Sequence, residues 1–104
     1  MAFDVSTEQA GDIAVIKLSG ELDANAAGNF RSAVEDAAAT GPKRVVLLMD
    51  QLKFMASAGL RVLVFAKQKM GTGVDLFIVG AHDAVLETIE MTGFHHSVIM
   101  MDEY

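Results

Sequence analysis

Residues 45–70 read V-V-L-L-M-D-Q-L-K-F-M-A-S-A-G-L-R-V-L-V-F-A-K-Q-K-M. The unbroken apolar run Val45–Met49 predicts a buried strand. A short polar break from Asp50 follows, then Phe54-Met55, then apolar residues at helical spacing from Ser57 to Met70. Ser57 is the only hydroxyl between Asp50 and Gly71. It falls where the helix begins, and a helix N-terminus has unpaired N–H groups and a dipole that favour an anion. Two compatible roles follow. Ser57 is placed to cap the helix by accepting the N–H of Gly59 or Leu60, a bond that contributes about 1 kcal/mol. It is also placed to carry a phosphate, which adds about −1.5 to −2 charge at an end that tolerates it.

Working outward, Phe3–Glu8 and Ile13–Leu18 partly alternate apolar and polar residues around Ala10-Gly11-Asp12, which predicts a β-hairpin. Ala26, Ala27, Phe30, Ala33, Val34, Ala37 and Ala38 then recur at helical spacing. Asp23 or Asn25 is suited to cap that helix, and Gly41-Pro42 ends it. Beyond the helix at 57–70, Gly71-Thr72-Gly73 turns the chain into an apolar strand, Val74–Val79. A third helix follows over Ala84–Met91, with Asp83 in its first turn and Gly93-Phe94 at its end, and Val98–Met101 is a last short strand. The order β-β-α-β-α-β-α-β predicts an α/β fold: a mixed, mostly parallel sheet joined by right-handed crossover helices.

The 104 residues fit one domain, 1–104, with 52% hydrophobic content that argues against disorder. Net charge is −6, which disfavours nucleic acid and anionic membrane surfaces and suits a partner with a basic patch. There is no cysteine, hence no disulfide and no thiolate chemistry. Met-Ala-Phe-Asp resembles no signal peptide, and no apolar run has the length of a membrane span, so a cytoplasmic location is expected.

At 100° per residue, Leu60, Leu63, Ala66 and Met70 share the helix face assigned to the sheet. Ser57, Arg61, Val64, Phe65 and Gln68 lie opposite or on the flank. Val64 and Phe65 are then either partner contacts or covered by a neighbouring element. Arg61 is placed as an ion-pair donor beside the serine. Gly59 either admits a close backbone or fits the helix against the sheet. Asp23 is a partner contact or a cap, and Asp50 is a strand-end residue near the functional end of the sheet or a turn residue. His82, His95 and His96 have no spacing that suits a metal, and the seven methionines read as core fillers. No glycine-rich phosphate loop, Gly-x-Ser-x-Gly frame or carboxylate pair points to nucleotide binding or catalysis. No cofactor is implied.

The element order, with G-E-L-D at 20–23 and F-M-A-S-A-G-L at 54–60, resembles the STAS domain, and more narrowly the bacterial anti-sigma factor antagonists. Ala84-Val85 and Met91-Thr92-Gly93-Phe94 match the family's last-helix pattern, and the likeness runs from about Phe3 to Met101. The resemblance implies a non-enzymatic regulator of sigma-factor-dependent transcription. Its partner is an anti-sigma factor that is also a serine kinase. Phosphorylation of the serine at position 57 releases the complex, and a serine phosphatase resets it. By motif position the serine is Ser57 and the nearby loop residue Asp23; with the residues flanking Ser57 and the outer helix face, the expected partner-binding set is Asp23, Ala56, Ser57, Ala58, Gly59, Arg61, Val64 and Phe65. The family usually has an acid before the serine and often a second hydroxyl after it; here both are alanine, Ala56 and Ala58. The alternatives are an unswitched binding domain and a ligand- or nucleotide-sensing module on the same scaffold.

Overall fold

A computed structural model describes residues 2–104. Along the chain lie β1 (Asp4–Ala10), β2 (Ile13–Leu22), α1 (Ala27–Ala39), β3 (Arg44–Met55), α2 (Ser57–Met70), β4 (Asp75–Val79), α3 (Asp83–Met91) and β5 (Ile99–Met101), with a single 3-10 turn at Phe94–His96. The order is the predicted one. The strands form one sheet in the order β1-β2-β3-β4-β5. β1 runs antiparallel to β2, with Asp4 opposite Ser19, and the remaining pairs are parallel.

Because each crossover joins neighbouring strands in the same direction, right-handed connections put α1, α2 and α3 on one face. The main core lies there. Ile16, Leu18, Leu47, Met49, Leu76 and Ile78 from the sheet meet Phe30 and Val34 of α1, Leu63 and Ala66 of α2, and Val85 and Ile89 of α3. Phe94, after the left-handed Gly93, is buried in the same cluster. On the opposite face a smaller cluster of strand residues, Val46, Phe77 and Val79, packs with Ile13, Val15 and Leu48. Arg44 and Tyr104 close over Phe77: the guanidinium lies 5.0 Å from its ring centroid, and the Tyr104 ring meets it edge-on at 5.7 Å.

The polar break expected after Met49 is not a break. β3 continues for 12 residues, to Met55. Its pairing with β4 stops at Leu48 opposite Val79, but its pairing with β2 continues to Met55 opposite Leu22. Residues past Leu48 therefore form a two-stranded arm, and register shifts beside Lys17–Ser19 and Gly20–Glu21 disturb its alternation. Asp50, Gln51 and Lys53 face solvent while Leu52 and Met55 are buried, so a real strand loses the apolar signature of one covered on both faces. Gly20 makes the bulge possible. Its φ is +82°, and a Cβ there would run into the carbonyl of Ala2.

Candidate functional site

The arm carries the start of α2 beyond the edge of the sheet. At its tip the Ala56 N–H donates to the Leu22 carbonyl at 2.8 Å, one step past the last strand pair. That bond holds Ala56 extended, with φ −77° and ψ 165°, and makes Ala56, not Ser57, the residue that flanks the helix. The Ala56 carbonyl accepts the N–H groups of Gly59 (2.9 Å) and Leu60 (3.2 Å). Ser57 is thus the first helical residue, and no side chain caps α2. The cap expected of Ser57 is corrected: β3 runs on past the expected break, and the bond to Leu22 that follows its last strand pair makes Ala56 the flanking residue. The consequence is an exposed Ser57 at the tip, with the Ser57 and Ala58 amides outside the helical ladder.

The same bond sets the loop after β2 beside the head of α2, since Asp23 follows Leu22. Asp23 is exposed and caps the approach to α1. Its Oδ1 accepts the Ala26 N–H at 2.9 Å, and its carbonyl accepts Ala26 and Ala27 at 3.2 and 3.1 Å. Beneath the tip Gly59 is buried. A Cβ there would lie 2.8 Å from both Cγ and Cδ2 of Leu22, so the glycine fits α2 against the sheet and admits a side chain, not a backbone.

The outer face of α2 is partly as expected. Ser57, Arg61 and Gln68 are exposed, and Val64 is 40% exposed. Phe65 is half-buried, because the Arg31 guanidinium of α1 lies over its ring at 4.1 Å. Between the two helices runs a groove of about 250 Å³, lined by Ala27, Gly28 and Arg31 of α1 and by Ala58, Arg61 and Phe65 of α2. Among the described residues neither Arg31 nor Arg61 has a carboxylate within salt-bridge distance. The α1 side of this groove has no motif in the sequence. The one available signal was an arginine on the flank of an amphipathic helix.

Asp50 lies within β3 and packs against the left-handed Gly80, where a Cβ would sit 2.9 Å from that of Asp50. His82 joins the two segments: its Nδ1 lies 3.0 Å from Asp83 Oδ2 and its Nε2 3.0 Å from the Asp50 carbonyl. Both partners are acceptors, so the doubly protonated imidazolium satisfies both contacts at once. The His82 pKa is accordingly raised, chiefly by Asp83 and then by the Asp50 carbonyl. Asp83 itself is left-handed, at φ +50°, a conformation aspartate tolerates better than most residues. The His95 and His96 ring centroids lie 3.9 Å apart with their planes tilted by 39°. The described residues contain no group of three His, Cys, Asp or Glu placed around one metal position. No described helix is long and apolar enough to cross a membrane.

A sequence model of the STAS domain matches residues 4–103. The chain belongs to the STAS domain family. Among individual proteins, this STAS domain is 25% identical over 89 residues to the anti-sigma-F factor antagonist RsfB of Mycobacterium tuberculosis, covering 86% of the chain and 73% of that protein. The fold is that of solved family members. A crystal structure of an anti-sigma factor antagonist from Mycobacterium paratuberculosis superposes with a TM-score of 0.90 at 23% identity, over 97% of this STAS domain and 86% of that chain. The anti-sigma factor antagonist SpoIIAA in its unphosphorylated form superposes at 0.76 and 21% identity, over 99% and 90% of the two chains. SpoIIAA of Bacillus in its phosphorylated form gives 0.72 and 19%, over 95% and 90%.

Proposed function

We propose that this STAS domain is an anti-sigma factor antagonist. It docks the tip formed by Ser57 and the adjoining Asp23 loop onto an anti-sigma factor of the serine-kinase type. The complex is released when Ser57 is phosphorylated, and a serine phosphatase restores the docking form. The observation that carries this reading is an exposed Ser57 hydroxyl at the head of α2 that is not consumed as a cap. The names of the relatives give it its partner class.

The energetics suit a switch. The fold tolerates a phosphate at position 57, because the helix start favours negative charge and the Ser57 side chain is outside the core. The interface does not tolerate it. Two added charges about 5 Å from a partner carboxylate cost roughly 2 kcal/mol even at water-like screening, which exceeds a tenfold loss of affinity. Ser57→Asp is therefore expected to weaken partner binding in calorimetry while circular dichroism and thermal melting stay close to wild type. A folded Ser57→Asp protein with unchanged affinity refutes the docking role. A pull-down from the native host, wild type beside Ser57→Glu, identifies the partner. Mass spectrometry after incubation with that partner and ATP tests the switch. Ala56 and Ala58 stand where the family pattern usually has an acid and often a hydroxyl, and they favour a second reading: docking without phosphorylation. An unmodified Ser57 in that assay selects it.

A further inference from the structure

We propose that the groove between α1 and α2 seats an acidic side chain of the docking partner, a glutamate or aspartate held between the guanidinium groups of Arg31 and Arg61. The inference rests on the docking role of the Ser57 tip and adds the chemistry the neighbouring surface accepts.

Four observations converge on it. The Arg31 guanidinium lies over the Phe65 ring, 4.1 Å from its centroid, a contact that restrains where its donors point. Arg31 and Arg61 both line the groove, and neither pairs with a carboxylate among the described residues. The chain has 14 acidic against 8 basic residues, yet two arginines and no acidic residue line this groove. The floor is cleared for a visitor: Ala27, Gly28 and Ala58 project almost nothing into about 250 Å³, the volume of roughly eight waters or one carboxylate side chain with its residual hydration.

The fold has no use for Gly28. Its φ is not positive, it is exposed, and a Cβ there meets nothing within 4 Å. Glycine in a helix is unfavourable relative to alanine. A cost without an internal return fits a surface kept open for something outside the chain.

The groove also ties charge to the proposed switch. Ala58, next to Ser57, is part of its wall, and Arg61 lies one helical turn beyond Ser57. A phosphate on Ser57 would stand beside the seated carboxylate and repel it. It would also draw on Arg61, since residues four apart share a helix face. The chain as a whole is acidic, so this patch takes a partner group that the rest of the surface repels.

The test uses 15N-labelled protein and a synthetic helical peptide bearing glutamates on one face, with the glutamine version as control. Signals are the Nε–H groups of Arg31 and Arg61 and the amides of Gly28 and Ala58. We expect the glutamate peptide to shift these four and to bind about tenfold more tightly than the glutamine peptide, as charge-assisted hydrogen bonds to arginine require. Arg31→Gln and Arg61→Gln should each lose most of that difference. Gly28→Leu should fold with an undiminished Tm, since its side chain enters open space, and should lose binding. Equal affinity for the two peptides, or shifts centred on Lys67 and Lys69, overturns the proposal. If wild type captures a partner and Arg31→Gln and Arg61→Gln bind it equally well, the groove reading alone is overturned. If the glutamate peptide seats in the groove and Ser57→Asp leaves partner affinity unchanged, the docking reading fails instead.

Discussion

Replacing Gly59 with alanine adds a single methyl at the place where α2 meets the sheet. That carbon would lie 2.8 Å from Leu22 Cγ and Cδ2 and 3.1 Å from Met55 Cγ. Ordinary contact begins at about 3.4 Å, and neither neighbour has anywhere to go: Leu22 is fully buried and Met55 is 2% exposed. Either Leu22 leaves its rotamer or the first turn of α2 lifts. Overpacking of this kind costs about 1–3 kcal/mol. The gain in helix propensity returns at most about 1 kcal/mol, and less in a first turn. We expect a net loss of about 1–2 kcal/mol in urea unfolding, seen in calorimetry as a Tm lower by about 4–12 °C. Lifting the turn also strains the 2.8 Å bond from the Ala56 N–H to the Leu22 carbonyl, so the Ala56 amide should exchange faster. The control is Gly28→Ala, where a Cβ meets nothing and stability should rise by a few tenths to about 1 kcal/mol. A Gly59→Ala protein as stable as wild type, with unchanged exchange at Ala56, refutes the argument that this glycine sets the height of the Ser57 tip.

Protonated His82 bonds two acceptors, and its folded-state pKa lies above the ordinary 6.5, so its contribution is fully present below about pH 6.5 and is lost as pH rises through the raised value. The Tm advantage of wild type over His82→Gln should therefore be largest in acid and shrink toward pH 8.5; a constant difference across melts from pH 5.5 to 8.5 removes this clasp. Leu63 is fully buried between α2 and the sheet, so Leu63→Ala should lose about 2–5 kcal/mol in urea unfolding, with the spread set by how far the site collapses.

Much of the architecture was legible because it follows from local pattern. The Ser57–Met70 helix has the predicted ends, and the order of strands and helices is as read. The faces of α2 were also readable: Leu60, Leu63 and Ala66 are buried and Arg61 is exposed, as a 3.6-residue period requires. What failed was local pattern under a tertiary override. Asp50–Lys53 looked like a turn because a strand paired on one side only, with bulges, need not alternate. Ser57 looked like a cap because serine favours that position, but a strand bond made by Ala56 gives the cap position to Ala56.

The sequence by itself determined the α/β order, the mostly parallel sheet and a lone serine at the head of the second helix, because periodicity and helix punctuation are written in neighbouring residues. Only the tertiary structure decided that Ser57 is left free, that Gly59 fits against Leu22, and that Arg31 of one helix lies over Phe65 of another. These are contacts between segments far apart in the chain. Helix packing brings them together, and no spacing in the sequence encodes them.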